Sequence, residues 1–183
     1  MEGSTLVDDL QEWLTESYAQ SVRTAFLILI LGNRLDAEDA VQEAFLRAWK
    51  FRDAIAKESS FKPWLYRVVV NSCNSKLRQE IPHRDRRSAE ESLLNIATID
   101  KVSDRFALSH DMMIALKDLP EHLRVVVVLR YYVDLSEREI AIAISRQPGT
   151  VKSRLNEARK RLAEHPALQL LSGPPPTRKE VTP

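Results

Sequence analysis

A row of side chains near the C-terminal end has the types and spacing to read nucleic acid. Thr150, Lys152, Ser153, Arg154 and Asn156 crowd into two helical turns. Lysine or arginine can meet two acceptors on guanine, and asparagine can pair with adenine. Threonine and the free amides of a helix start suit a phosphate. A second group begins at Phe61 and holds Trp64 and Tyr66, followed by Arg67, Asn71, Asn74, Lys76 and Arg78. Aromatic rings can stack unpaired bases, amides can read their edges, and cations can hold the backbone. For Phe61, Leu65 and Val68 the core is the better reading. For Trp64 and Tyr66 core and base stacking stand level. Arg67, Asn71 and Asn74 favour strand contact, because burial would demand partners. A third group is acidic: Asp36, Glu38, Asp39 and Glu43. Asp39, Gln42, Glu43 and Leu46 project together at helical spacings of three and four, as a protein-docking face would. Acids at a helix start are more often simply solvated, and periodicity alone favours that use.

Other chemistries find little support. His83, His110, His122 and His165 are scattered without metal-ligand spacing, and no metal or cofactor is expected. The one cysteine, Cys73, excludes an internal disulfide and sits among apolar residues as a small core side chain. That fits a reducing, cytoplasmic setting. No glycine-rich phosphate loop, nucleophile elbow or paired-carboxylate signature appears. A helical metallohydrolase built on the acidic cluster lacks a complete ligand set, so no enzyme is expected. The first residues do not resemble a signal peptide. The apolar run Ala25 to Leu31 is far short of the ~20 residues that cross a bilayer, so no membrane insertion is expected. Net charge is only +1, yet it is segregated. The acidic 36–43 stretch and the basic 145–162 stretch suggest two different partners.

The elements that must position these groups are all helical. Glycine is scarce, with 4 in 183 residues, and strand-like alternation is nearly absent. One helix is expected from Leu6 to Leu31, stopped by Gly32-Asn33. Asp36 is expected to cap the next, whose apolar face is Val41, Ala44, Phe45, Ala48 and Trp49. Ser59 or Ser60 caps a third, with Pro63 in its first turn, running to about Arg78. Residues 81–104, with Pro82 and the HRDRR cluster, read as a flexible linker. A helix from Phe106 to Lys117 follows, and Pro120 opens another that continues to about Val133. Ser136 with Glu139 forms a capping box, and Ile140, Ala141 and Ile144 give an apolar stripe. Pro148 then starts a helix whose Val151, Leu155 and Leu162 face one way. A helix, a tight turn and a donor-rich second helix form the geometry that enters a major groove. The organisation expected is two small helical domains, 1–80 and 105–166, on that linker, with a Pro-rich disordered tail over 167–183.

With both blocks in view, the chain resembles the bacterial extracytoplasmic-function sigma factors of the sigma-70 class. LDAEDAVQEAFLRAWKF is similar to the family's polymerase-binding helix. FKPWLYRVVVNSCNSKLRQ is similar to the helix that melts the minus-ten element, and GTVKSRL to the minus-thirty-five reader. The resemblance implies a transcription initiation factor whose partners are core RNA polymerase and promoter DNA, commonly restrained by an anti-sigma factor. It assigns Asp39, Gln42, Glu43 and Leu46 to the polymerase. Trp64, Tyr66, Arg67, Asn71, Asn74 and Arg78 go to the minus-ten strand. Thr150, Lys152, Ser153, Arg154 and Asn156 go to the minus-thirty-five duplex. A helix-turn-helix regulator that acts without the polymerase is the alternative. Three positions depart from the pattern. Ser145 replaces a turn glycine, Arg146 an aliphatic residue, and Glu157 a frequent arginine. Glu157 would repel phosphate unless it pairs with Arg154 or Arg161.

Overall fold

The computed structural model describes residues 2–29, 34–51, 61–80 and 110–169. Gly32-Asn33, Ser59, Ser60, the 81–104 linker and the tail beyond residue 169 lie outside the described residues, as does the segment before His110. What is described is all-helical, in the two regions expected. The first region holds α1 (Glu2–Leu29), α2 (Arg34–Lys50) and α3 (Phe61–Glu80). The second holds α4 (His110–Asp118), α5 (Glu121–Val127), α6 (Glu137–Ala143), α7 (Pro148–Ala163) and the single turn α8 (Pro166–Gln169). A π-helical turn, Val128–Tyr132, prolongs α5. Helix α2 starts at Arg34, so Asp36 lies inside its first turn and does not cap it.

The first region closes around small residues. Ala37, Ala40, Val41, Ala44 and Ala48 form the buried face of α2 and let it sit close on α1 and α3. Phe45 packs against this core and meets Tyr18 edge-on at 5.7 Å. Trp49 was expected on that face but is 41% exposed. It lies about 80° around the helix from Val41, at the margin of the stripe. Ile28, Leu65, Val69 and Cys73 are fully buried between α1 and α3.

In the second region Leu116, Leu119, Leu123, Val127 and Ala158 make a satellite core where α4 and α5 meet α7. Pro120 is the N-cap of α5, one residue before the helix proper. Ser136 and Glu139 close the capping box of α6: Glu139 N–H donates to Ser136 Oγ at 3.3 Å, and Ser136 N–H to Glu139 Oε2 at 2.8 Å. Those bonds hold the Glu139 carboxyl below its usual pKa.

The two regions also pack on each other. Val125, Val126, Leu129, Val133, Leu135 and Ile140 belong to the same continuous core as Ile28, Leu65 and Val69. Two cations fasten this seam. Arg124, only 5% exposed, donates from Nε to Ile28 O at 3.0 Å, at the C-terminal end of α1. Its Nη1 donates to Leu119 O at 3.2 Å and Lys117 O at 3.3 Å. Lys62 Nζ, at the start of α3, donates to Val133 O at 2.9 Å. Carbonyls at helix ends carry partial negative charge, so both are favourable places for a cation.

Candidate nucleic-acid interface

The turn between α6 and α7 is built by two bonds. Arg146 N–H donates to Ala141 O at 2.9 Å, and Ser145 N–H to Ile142 O at 3.2 Å. This is a Schellman ending, and it requires a left-handed residue between them. Ser145 supplies it, with φ 53°, in the place where glycine would be unstrained. Ala141 is buried at the crossing of the two helices. Gln147 is the N-cap of α7 in extended conformation, without a side-chain cap bond, and Pro148 follows as its first residue. Val151, Leu155 and Ala158 then anchor α7 to the core.

That anchoring fixes what α7 shows to solvent. Lys152, Ser153 and Asn156 are exposed, whereas Thr150, beside the turn, and Arg154 are half-buried. Glu157 takes Arg161 as its partner, at 2.8 and 3.1 Å, and so its charge is not left facing outward alone. Arg146, the second departure, is exposed and donates to Ser145 O at 3.2 Å.

Helix α3 sorts its candidates by angle. At about 100° per residue, Trp64, Arg67, Asn71, Asn74 and Arg78 fall in one stripe. Arg67, Asn71 and Arg78 are exposed. Trp64 is half-buried and stacked on Phe61 at 5.9 Å. Asn74 is half-buried, with Oδ1 shielded from solvent and unbonded among the described residues. Tyr66 lies about 120° around the helix from the centre of that stripe. It is 1% exposed, and burial pushes its phenol up to about 12. Its hydroxyl faces those of Ser21 and Thr24 on α1 yet closes no bond of normal geometry with a described residue. The expectation that Tyr66 meets the minus-ten strand is therefore corrected: a ring enclosed in the core cannot stack on a base.

On α2, Asp39, Gln42 and Leu46 are exposed and Glu43 is half-exposed, on one face. Leu46 is 72% exposed, and Leu35 extends the same face at 66%. Asp39 meets Lys76 at 3.4 Å, and Glu43 pairs with Arg47. Sequence reasoning missed Leu35 and the outward-turned Trp49. The helical stripe 35, 39, 42, 46, 49 was the available signal.

A cleft joins the two regions. Arg67 of α3 lines it from one side, and Arg138, Ile142, Arg146 and Thr150 line it from the other. Among the described residues no three His, Cys, Asp or Glu side chains gather as metal ligands. Among them, too, no helix is long and apolar enough to cross a membrane.

Comparison with known proteins agrees with this arrangement. The sigma-70 region 2 profile matches residues 14–80, and the sigma-70 region 4 profile matches residues 111–162. The chain is 33% identical to the ECF RNA polymerase sigma-E factor of Escherichia coli K12 over 135 residues, 68% of this chain and 71% of that protein. It is 29% identical to the ECF sigma factor SigW of Bacillus subtilis 168 over 143 residues, 73% and 76% of the two chains. In fold it is similar to the sigma factor RpoE of Bartonella quintana, solved with the anti-sigma factor NepR. That match has a TM-score of 0.66, 24% identity, and covers 88% of this chain and 98% of that one. CnrH, solved with the cytosolic domain of CnrY, gives a TM-score of 0.63 at 20% identity, covering 94% and 96%. Two matched sigma-70 regions in order, together with a sigma-E relative 33% identical over two thirds of the chain, leave one assignment: the chain belongs to the ECF group of sigma-70 family RNA polymerase sigma factors.

Proposed function

We propose how the labour of this sigma factor is divided among its faces. The exposed face of α2, with Asp39, Gln42, Glu43 and Leu46, docks on core RNA polymerase. The outer stripe of α3, with Trp64, Arg67, Asn71, Asn74 and Arg78, holds the unstacked minus-ten strand. Helix α7 reads the minus-thirty-five duplex through Thr150, Lys152, Ser153, Arg154 and Asn156. The observation that carries the reading is α7 itself. It is anchored by Val151, Leu155 and Ala158, so Lys152, Ser153 and Asn156 stand exposed on a fixed cylinder with Thr150 and Arg154 half-buried at its flank.

Gly149 supports it. Beyond its own helical turn, no atom of the described residues lies within 4 Å of a Cβ built there, so they make no steric demand for glycine. A DNA backbone brought against the first turn of α7 would make that demand. No covalent step is involved. Unstacking costs a few kcal/mol per step, and ring stacking together with polymerase contacts offsets it.

The seam between the regions adds a condition. The minus-ten and minus-thirty-five elements lie about 25 base pairs apart, on the order of 85 Å along B-DNA at 3.4 Å per pair. Here Arg67 and Thr150 line one cleft. The packed form cannot span both elements, so promoter engagement parts the two regions. Relatives of similar fold were solved with anti-sigma partners. We infer that such a partner, present in the same cell interior, would hold this chain in its packed form.

Run-off transcription with core polymerase and a promoter library tests the whole reading. The expected result is transcripts from a subset of promoters sharing both elements. Duplex binding without any polymerase-dependent transcript would replace this reading with that of an ordinary regulator.

A further inference from the structure

We propose that Tyr131 is a positioning residue that sets which bases Asn156 can read. The inference rests on α7 being the minus-thirty-five reader. The π turn brings Tyr131 out beside α7 with 56% exposure. Its phenol oxygen accepts from Arg159 Nε at 2.6 Å, and the same guanidinium lies 5.9 Å from the ring centroid. Arg159 Nη1 in turn donates to Asn156 Oδ1 at 3.2 Å. Glu157, the one acid in α7, is bonded to Arg161. Arg159 is thus pinned by a ring face, a phenol oxygen and an amide oxygen.

The consequence follows from donor and acceptor counts. A free asparagine amide can turn either end toward a base. Arginine has donors and no acceptor, so it selects the carbonyl end. Asn156 then presents its two N–H donors outward. An amide that only donates suits guanine N7 and O6, or thymine O4. Pairing with adenine also needs the carbonyl to accept from N6, so adenine must share an oxygen that has already given one of its two lone pairs to Arg159, whereas guanine and thymine use only the free N–H donors. The preference expected at the base pair that Asn156 meets is therefore guanine or thymine over adenine. The guanidinium donors not used in this relay remain for a phosphate.

The test uses the full chain with core polymerase and a promoter library randomised across the minus-thirty-five element. Tyr131→Phe keeps the ring and removes only the acceptor. Asn156→Ala identifies the base pair that Asn156 touches, as the position where preference flattens. The expected wild-type preference there is guanine or thymine. Tyr131→Phe is expected to weaken it about fivefold at that pair and nowhere else. The double variant is expected to lose no more than Asn156→Ala alone. A wild-type preference for adenine at that pair would overturn the proposal. So would an unchanged preference in Tyr131→Phe, or a uniform drop across the library. In those cases the assignment of α7 as reader survives. If Asn156→Ala flattens no position, the role given to Asn156 falls, and the inference with it.

Discussion

At the scale of single residues, burial separates the groups that hold the fold from those free to meet a partner. Asp39 is on the free side. Its carboxylate is 63% exposed and its contact with Lys76 spans 3.4 Å. A pair so exposed contributes little to stability. Asp39→Arg should therefore leave the melting curve within about 0.5 kcal/mol of wild type while abolishing capture by core polymerase. Normal capture in a pull-down would remove α2 from the docking role. Cys73 is on the other side. It is fully buried, and desolvation raises its thiol from 9.0 to about 12. Its thiolate should thus be absent from the native chain near neutrality, and a disulfide reagent should label it only at the rate of opening. Rapid stoichiometric labelling of folded protein would contradict this. The pH consequence has a definite sign. The folded pKa lies above the unfolded one, so between these values the unfolded chain binds fewer protons. Stability is whole below about pH 9 and declines as pH rises toward about 12. Tyr66 adds to the decline from 10.0 upward, for the same reason.

At the scale of elements, α6 and α7 show local rules obeyed and one rule strained. The Ser136–Glu139 box was legible from spacing alone, because both partners lie within one turn. The left-handed turn residue was legible too: Ser145 stands where the motif asks for positive φ, and it adopts φ 53°. A serine held there costs energy that glycine would not. Ser145→Gly should raise stability by about 0.5–1 kcal/mol, read as a higher denaturant midpoint at unchanged slope. Gly149 is the converse. Alanine meets no obstruction there and favours a helix, so Gly149→Ala should stabilise by about 0.5 kcal/mol. It should nevertheless weaken binding to a minus-thirty-five duplex, if a phosphate approaches that turn. Equal affinity of the variant and wild type would show that nothing comes so close. The placement of Tyr66 was in principle readable, because residues 64, 67, 71, 74 and 78 define one stripe and 66 falls about 120° from its centre. Its aromatic character drew attention to chemistry where the helical angle already pointed inward.

At the scale of the whole molecule, the seam between the regions decides availability. Arg124 joins α5 to the end of α1, and Lys62 joins α3 to the end of the π turn. Removing either should shift the population toward parted regions. Lys62→Ala deletes an edge contact, whereas Arg124→Met strips a buried cation from several carbonyls and leaves acceptors worth about 1–3 kcal/mol each unsatisfied. Dyes at Arg47→Cys and Lys160→Cys, both exposed sites, would report the separation, since Cys73 is shielded from labelling. Lower energy transfer is expected in both variants with helical circular dichroism retained. Unchanged transfer in both would mean that these cations do not hold the regions together.

The chain's periodicity, its caps and its segregated charge determined the helices, their order and the acidic and basic stretches proposed to meet different partners. Each of those signals acts over one or two turns, so it is written in neighbouring residues. Tertiary structure alone decided that the regions share a core and that one cleft collects cations from both. It also decided that Tyr131 reaches Arg159. The bonds responsible join residues 96, 71 and 28 positions apart. Partners so distant leave no local pattern, and only the packing of whole helices brings them within hydrogen-bond reach.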